Sequence, residues 1–193
     1  MLRQSLRIVK SVPGMSQIGA APEERSVSRL FLLRHAKAGW ALPGMRDFDR
    51  PLDSSGHADA EATGAAMRNH NYVPEITLCS NAARARQTLE GIAGQADTGR
   101  VLFLDRLYSE DAAGYLTLIH ENANGGSVLV IGHNPMMEDL ASAVAGDGDP
   151  SARAALNSGF PTSGLAVISF KGGLKEASLG NGYLEAFHMP GDR

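Results

Sequence analysis

The chain has 193 residues, of which 43% are hydrophobic and 20% charged, and its formal net charge at pH 7 is −3. This size and composition are typical of one globular domain with a sizeable core, and the slight negative charge argues against general binding to nucleic acids or membrane surfaces. The single cysteine excludes an internal disulfide framework and a cysteine-based zinc site. No apolar run approaches the ~20 residues that span a bilayer, so we expect a cytoplasmic protein.

The first stretch of the chain differs from the rest. Its early charges are all basic, and no acidic residue occurs before Glu23. It has no continuous apolar segment, so it is not a secretory signal peptide, although its Arg- and Ser-rich, acid-poor composition is shared with organelle transit peptides. We interpret residues 1–26 as a flexible N-terminal extension and predict that the folded domain spans residues 27–193.

The segment Arg29–Leu33 predicts a buried first strand, which ends abruptly in Arg34 and His35. In open α/β sheets, ligands bind beyond the carboxyl ends of the strands. A histidine and an arginine at such a position suit chemistry on an anion. The alternative is an ordinary strand end with two solvated polar side chains. The later segments of the sequence distinguish between a site and a strand end.

A long loop over residues 37–52 follows this strand and contains several Gly and Pro residues. A loop of this length inside a compact domain is usually functional or disordered. Its Arg46 and Arg50 could reach an anion bound at His35. Alternatively, and at least as plausibly, these arginines form surface salt bridges with aspartates of the same loop. These aspartates are Asp47 and Asp49. We expect Trp40 to be a hydrophobic anchor rather than a substrate platform.

The next elements are a helix, a strand and a second helix. Asp53 is a good helix N-cap, and the alanine-rich segment Gly56–His70 after it has a helical apolar face. Ile76–Cys79 predicts the second buried strand, with its cysteine in the core. Ser80 or Asn81 can cap a helix that begins directly after this strand.

This second helix carries two arginines near its start. A helix N-terminus favours phosphate because its free N–H groups and its dipole present positive charge. Arg84 and Arg86 are two residues apart and therefore point to different sides of the helix. We expect one of them to face the strand ends and the other to be solvated.

The remaining elements continue the alternation of strand and helix. Strands are predicted over Val101–Leu104, Ser127–Ile131, Leu165–Phe170 and Tyr183–Phe187, and helices over Ala112–Glu121 and Met136–Ala145. A loop with a short helix is expected between Asp147 and Pro161. This pattern predicts an α/β fold, a three-layer α/β/α sandwich with a mainly parallel sheet.

Four side chains at strand ends form the candidate site. His133 follows a predicted strand directly, as His35 follows the first one, and Arg34 and Arg84 join them. Arginine forks hold phosphoryl oxygens by paired hydrogen bonds, and a histidine ring nitrogen can form a covalent intermediate. These residues predict a phosphate pocket with its own nucleophile and no cofactor. A metal site fits less well, since no His-Glu-x-x-His pair is present and two arginines would repel a cation.

Three ordered segments resemble the signature motifs of the histidine phosphatase superfamily. They are Leu32-Leu33-Arg34-His35-Ala36, Ser80 to Thr88 and Gly132-His133-Asn134-Pro135. Arg50-Pro51-Leu52, followed by Gly56, is similar to a loop of the small SixA-type phosphohistidine phosphatases, which makes this branch the nearest. Many members carry glycine after the histidine where this chain has Ala36, and alanine there is compatible with the SixA branch. The resemblance extends over about residues 29–170 and implies a phosphoglycerate-mutase-like sheet.

The resemblance also implies a role for each site residue. His35 would be the nucleophile that becomes phosphorylated. Arg34, Arg84 and His133 would bind the phosphoryl group, and Arg50 is a further candidate for substrate binding. No metal and no organic cofactor are implied.

The general acid is left open. Larger members use a carboxylic acid in the region that corresponds to residues 105–111, where Glu110 and Asp111 are candidates and Tyr108 is a weaker one. The alternative is that these acids only start a helix, whose first turn favours negative charge. An absent acid would favour phosphohistidine over phosphate esters, because an imidazole leaves more readily than an alkoxide.

Three functional hypotheses follow. The leading one is a metal-independent phosphatase that removes phosphate from phosphohistidine in a protein, and the second is a phosphatase of small phosphorylated metabolites with the same fold. The partner would thus be a phosphorylated protein or a small phosphorylated molecule. A phosphate-binding module without turnover is less favoured, because all four residues of the pocket are intact.

Overall fold

The computed structural model describes residues 27–124 and 126–191, so the predicted N-terminal extension lies outside the described residues. The described strands are β1 (Val27–Arg34), β2 (Ile76–Ser80), β3 (Arg100–Leu104), β4 (Val128–Gly132), β5 (Ala145–Gly148), β6 (Leu165–Lys171) and β7 (Gly182–His188). The described α-helices are α1 (Ser54–Asn69), α2 (Ala83–Ala93), α3 (Arg106–Ser109), α4 (Ala112–Asn122), α5 (Met136–Val144) and α6 (Pro150–Asn157). Short 3-10 helices span Asp47–Asp49 and Leu174–Glu176.

The strands form one sheet in the order β3-β2-β4-β1-β6-β7-β5. β1, β2, β3 and β4 are mutually parallel, and β5 is parallel to β7. β6 runs antiparallel to both of its neighbours, β1 and β7. The prediction of a mainly parallel sheet is therefore confirmed. Since β1 is the middle strand, its carboxyl end lies at the centre of the edge where such sheets bind ligands.

Alternating side chains of the central strand bury opposite faces of the sheet. Leu30 and Leu32 of β1 pack in the cluster that includes residues of α3, α4, α5 and α6. Phe31 and Leu33 pack in a second cluster with residues of α1 and α2. Helices thus cover both faces, because a strand with apolar residues on both sides has to be covered twice. This is the predicted three-layer sandwich.

The start of α1 packs against the segment that follows β1. Asp53 caps the helix as predicted, with its carboxylate accepting from the N–H of Gly56 at 2.8 Å. A Cβ atom at Gly56 would lie 2.0 Å from the carbonyl oxygen of Lys37. Glycine is therefore needed there to let α1 approach the chain two residues beyond His35.

Some elements were not expected from the sequence. β5 has the sequence Ala-Gly-Asp-Gly, which has no apolar alternation and a low intrinsic preference for strands, and it forms by pairing with β7 at the sheet edge. α3 is a single turn of four residues. Among the residues that the structure describes, no helix is both long and apolar enough to cross a membrane.

Candidate active site

His35 lies just beyond the carboxyl end of β1 and is 7% exposed. Its backbone N–H donates to the carbonyl oxygen of Gly132, at the end of β4, at 3.0 Å. The ring atom Nδ1 lies 2.7 Å from the carbonyl oxygen of Ala36. A carbonyl oxygen can only accept, so Nδ1 carries the proton and Nε2 keeps its lone pair.

This imidazole is neutral at physiological pH. Burial, the largest cause, lowers the pKa of His35 to about 4. The hydrogen bond to Ala36 acts in the opposite direction, and the positive charges of Arg84, Arg34 and Arg50 lower the pKa further. Nε2 is therefore available as a nucleophile without first losing a proton.

Thr88 fixes the peptide that follows His35. Its hydroxyl accepts from the N–H of Ala36 at 2.9 Å and donates to the carbonyl oxygen of Arg84, one turn earlier in α2, at 2.7 Å. Both Ala36 and Thr88 are fully buried. One hydroxyl thus joins Ala36, whose carbonyl oxygen orients the His35 ring, to the helix that carries Arg84.

Arg84 is the arginine of α2 that faces the site. Its side chain is 6% exposed, and its Nε donates to Nε2 of His35 at 3.1 Å. Its terminal nitrogens donate to the main-chain oxygen and to the carboxylate of Asp47, at 2.6 and 2.9 Å. Three of the five guanidinium N–H groups are used in these bonds, which leaves two for a ligand. Arg86 is exposed, with its guanidinium over the ring of Phe103, as expected for the second arginine.

Arg34 approaches the same site from the end of β1. One terminal nitrogen donates to the carbonyl oxygen of Phe160 at 2.7 Å. Its buried Nε has no hydrogen-bond partner within the described part of the chain. Burial lowers the pKa of this guanidinium, and the charge of Glu138 acts in the opposite direction. A half-buried guanidinium whose Nε has no partner is suited to an anionic ligand, which would supply the acceptor that it lacks.

His133 stands opposite His35, directly after β4. The two ring centroids are 5.1 Å apart, and Nε2 of His133 lies 2.8 Å from the hydroxyl oxygen of Ser80. Burial, followed by the charges of His35 and Arg84, lowers the pKa of His133 to about 3. The structure thus brings Arg34, His35, Arg84 and His133 together at one edge of the sheet.

The long loop over residues 37–52 closes the outer side of the site. The carboxylate of Asp47 receives hydrogen bonds from Arg84 and, at 3.0 Å, from the hydroxyl of Tyr108. Arg50 lies 3.3 Å from the same carboxylate. Arg46 pairs with Asp49 at 2.6 Å on the surface, which is the salt-bridge alternative considered above.

The chain's candidate acids near residue 110 lie elsewhere. Glu110 accepts from Arg106 at 2.9 Å, and the structure shows no bond between Glu110 and the four residues at the strand ends. The carboxylate of Asp111 caps α4 by accepting from Gly114 at 2.8 Å. Tyr108 does reach the site, where its ring meets the ring of His133 edge to face at 5.5 Å.

Two further expectations have clear outcomes. Trp40 is 94% exposed, so the prediction of a hydrophobic anchor is wrong: the Ala38–Leu52 bridge closes the base of the loop, and the tip beyond it has no core to enter. Cys79 is fully buried as expected, and burial raises the pKa of its thiol to about 12. This thiol is therefore no nucleophile.

The donor set suits an anion better than a cation. Three arginines approach the His35 ring closely enough to lower its pKa. In the described ranges, no three His, Cys, Asp or Glu side chains gather where they could hold a metal ion. The arrangement offers a neutral nucleophilic nitrogen beside several guanidinium donors, which is what transfer of a phosphoryl group requires.

Comparison with known proteins agrees with this chemistry. The family model of the histidine phosphatase superfamily (branch 1) matches residues 30–114. A structure named as the candidate phosphohistidine phosphatase SixA of Agrobacterium tumefaciens is 39% identical with a TM-score of 0.73, and the match covers 84% of this chain and 98% of that one. The corresponding SixA candidate of Nakamurella multipartitia is 31% identical with a TM-score of 0.75, covering 86% and 98%. An uncharacterized protein of Mycobacterium tuberculosis is 33% identical over 161 residues, which is 82% of this chain and 99% of the relative.

Proposed function

The chain belongs to the histidine phosphatase superfamily, in its SixA-type branch, and from this we propose that it removes the phosphoryl group from phosphohistidine in a protein through a covalent intermediate on His35. The observation that carries the proposal is the state of the His35 ring. Nδ1–H is held by the carbonyl oxygen of Ala36, and the unprotonated Nε2 is directed at the guanidinium of Arg84.

In the first step, Nε2 of His35 attacks phosphorus, a new N–P bond forms, and the bond between phosphorus and the leaving group breaks. The proton on Nδ1 stays on the hydrogen bond to Ala36, so the phosphorylated ring is cationic and stabilised by that carbonyl oxygen. Attack uses the lone pair of Nε2 that accepted from Arg84, so the Nε–H of Arg84 is released to the phosphoryl group. This N–H, the two unused terminal N–H groups of Arg84 and the unused Nε of Arg34 bind the equatorial oxygens. The neutral ring of His133 lies on the opposite side of the pocket.

In the second step, water attacks the phosphorus atom on Nε2 of His35, a new O–P bond forms, and inorganic phosphate leaves. The N–P bond breaks, its electron pair returns to Nε2, and His35 is again a neutral imidazole with its proton on Nδ1. The proton that water loses remains on phosphate or passes to solvent. No step requires a metal ion, so we expect EDTA to leave the rate unchanged.

The position of Glu110 supports phosphohistidine as the substrate class. Glu110 is paired with Arg106, Asp111 caps α4 and Asp105 accepts from Asn81, so each of these three carboxylates has a partner other than the four residues at the strand ends. This supports a leaving group that needs no carboxylic acid. An imidazole leaving group does not depend on such a donor, since its second ring nitrogen, with an ordinary pKa of about 6.5, can take up a proton from solvent near neutral pH before the bond breaks.

The test is rapid-quench detection of a phosphoenzyme with a histidine-phosphorylated protein labelled in its phosphoryl group. We expect label on the wild-type enzyme within one turnover, no label on His35→Ala, and label as in the wild type on the exposed His57→Ala control. Absence of a phosphoenzyme in the wild type during turnover would contradict the covalent mechanism. Faster turnover of small phosphate esters than of phosphohistidine protein would favour the metabolite phosphatase instead.

A further inference from the structure

The carboxylate of Asp47 is placed at the outer end of the site. Its side chain is 54% exposed, whereas the side chain of Arg84, which it contacts, is 6% exposed. Asp47 therefore lies between the buried phosphoryl-binding groups and solvent. A phosphorylated side chain of another protein has to enter from solvent, so an exposed carboxylate in contact with Arg84 is placed where it can meet the leaving group.

The charged and polar groups around Asp47 come from three parts of the chain. Arg84 on α2 and Arg50 on the same loop are cationic, and the hydroxyl of Tyr108 on α3 donates to the carboxylate. Burial acts to raise the pKa of Asp47, and these three neighbours outweigh it, so the pKa is lowered below its usual value. Asp47 is thus an anion and not a proton donor in the free enzyme.

We propose that Asp47 determines specificity, by accepting a hydrogen bond from the protonated ring nitrogen of a phosphohistidine substrate as its imidazole leaves. This inference rests on the proposed function and adds a residue to which none of the sequence motifs points. It concerns the leaving group, whereas Arg34 and Arg84 act on the phosphoryl group.

The bond changes explain why an anion is useful at this position. In the protonated form of a phosphohistidine, one ring nitrogen is bonded to phosphorus and the other carries a proton, so the ring is cationic. When Nε2 of His35 attacks, the electron pair of the P–N bond goes to the ring, and neutral imidazole leaves with its proton still in place. A carboxylate that accepts this N–H stabilises the cationic substrate and orients the ring.

The same carboxylate disfavours a phosphate ester. Cleavage of a P–O bond places negative charge on the leaving oxygen, and an anion beside that oxygen raises the energy of the transition state. Asp47 therefore acts with opposite signs on the two substrate classes. A residue that only positioned Arg84 would affect both classes equally, because both use the same phosphoryl-binding groups.

The experiment measures kcat/KM of wild type and Asp47→Asn with a phosphohistidine peptide and with p-nitrophenyl phosphate. Asparagine keeps the shape and the oxygen that accepts from Arg84. We expect the value for phosphohistidine to fall about ten- to a hundredfold, as for loss of a hydrogen bond to a charged group, and the value for p-nitrophenyl phosphate to stay constant or rise. Both substrates are assayed in one preparation, so the ratio does not depend on the folded fraction.

Asp49→Asn is the matched control, since Asp49 is on the same 3-10 turn and pairs with Arg46 away from the site. We expect it to keep the wild-type ratio. The proposal is overturned if Asp47→Asn leaves the ratio of the two kcat/KM values unchanged, which includes a fall of both by the same factor. It is also overturned if Asp49→Asn shifts this ratio as much as Asp47→Asn does. A wild-type enzyme that does not turn over phosphohistidine would instead refute the proposed function itself.

Discussion

Replacement of Thr88 by valine tests whether one buried hydroxyl fixes the peptide beside His35. Valine has nearly the shape of threonine, so no cavity forms, but the N–H of Ala36 loses its acceptor at 2.9 Å. Both residues are fully buried, and water cannot replace the hydroxyl. A buried donor left without a partner costs about 1–3 kcal/mol, so we expect the free energy of unfolding to fall by that amount.

Urea unfolding followed by circular dichroism measures this loss. Fluorescence of Trp40 is a poor probe, because this side chain is already 94% exposed in the native state. The matched control is Thr117→Val: Thr117 is exposed and its hydroxyl donates to the carbonyl oxygen of Ala113 at 3.0 Å, as that of Thr88 does to Arg84 one turn back. The difference between the two variants isolates the bond to Ala36.

Activity gives a second measurement on the same variant. Ala36, whose N–H loses its partner in Thr88→Val, also carries the carbonyl oxygen that holds Nδ1 of His35. We expect kcat to fall while KM changes little, since the phosphoryl-binding arginines are retained. If Thr88→Val lies within about 0.5 kcal/mol of Thr117→Val and keeps the wild-type kcat, the hydroxyl has no such role.

Two further predictions concern charge in the site. Arg84→Ala should lower kcat/KM about 100- to 1,000-fold, as expected for loss of a preorganised donor, whereas Arg86→Ala should retain wild-type kinetics because Arg86 is exposed over Phe103; equal losses in the two variants would refute this assignment. Because the pKa values of His35 and His133 are lowered to about 4 and about 3 from 6.5, the unfolded chain binds more protons than the native state below pH 6.5. The free energy of unfolding should therefore be fully retained above pH 6.5 and decrease as the pH falls through 4 to about 3. Urea titrations at a series of pH values check this, and an equal pH dependence in His35→Gln and the wild type would contradict it.

Most of the architecture could be predicted because it is encoded locally. The apolar runs that form β1, β2 and β4 end in polar residues, and parallel strands bring those ends to one edge. The pairing of Arg34 and His35 with His133 follows from that rule. β5 was missed, since its four residues have no pattern of their own and depend on an edge offered by β7.

The part of the site that the sequence did not predict depends on the path of the long loop. The loop is held by a bridge between Ala38 and Leu52 and by a hydrogen bond from the N–H of Leu52 to the side chain of Gln87 at 2.7 Å. These long-range contacts place Asp47 on Arg84. The charged residues of this loop follow no periodic pattern, so the sequence does not show which of them contacts Arg84. Gln87 and Thr88 lay within a recognised motif, but the motif did not indicate that they hold the loop and the Ala36 peptide.

The position of β1 in the sheet has a consequence for biosynthesis. His35 is made before both strands that pair with β1, since β4 begins at Val128 and β6 begins at Leu165. Loop closure of this range is slow, and a nascent chain emerges from its N-terminus first. The β1 segment therefore leaves the ribosome with two apolar faces and two open edges and has to wait for most of the domain to be synthesised. A ribosome-bound chain that ends before β6 already contains the four site residues but lacks one of the two strands that pair with β1. We therefore expect the pocket to form late in the folding of the domain.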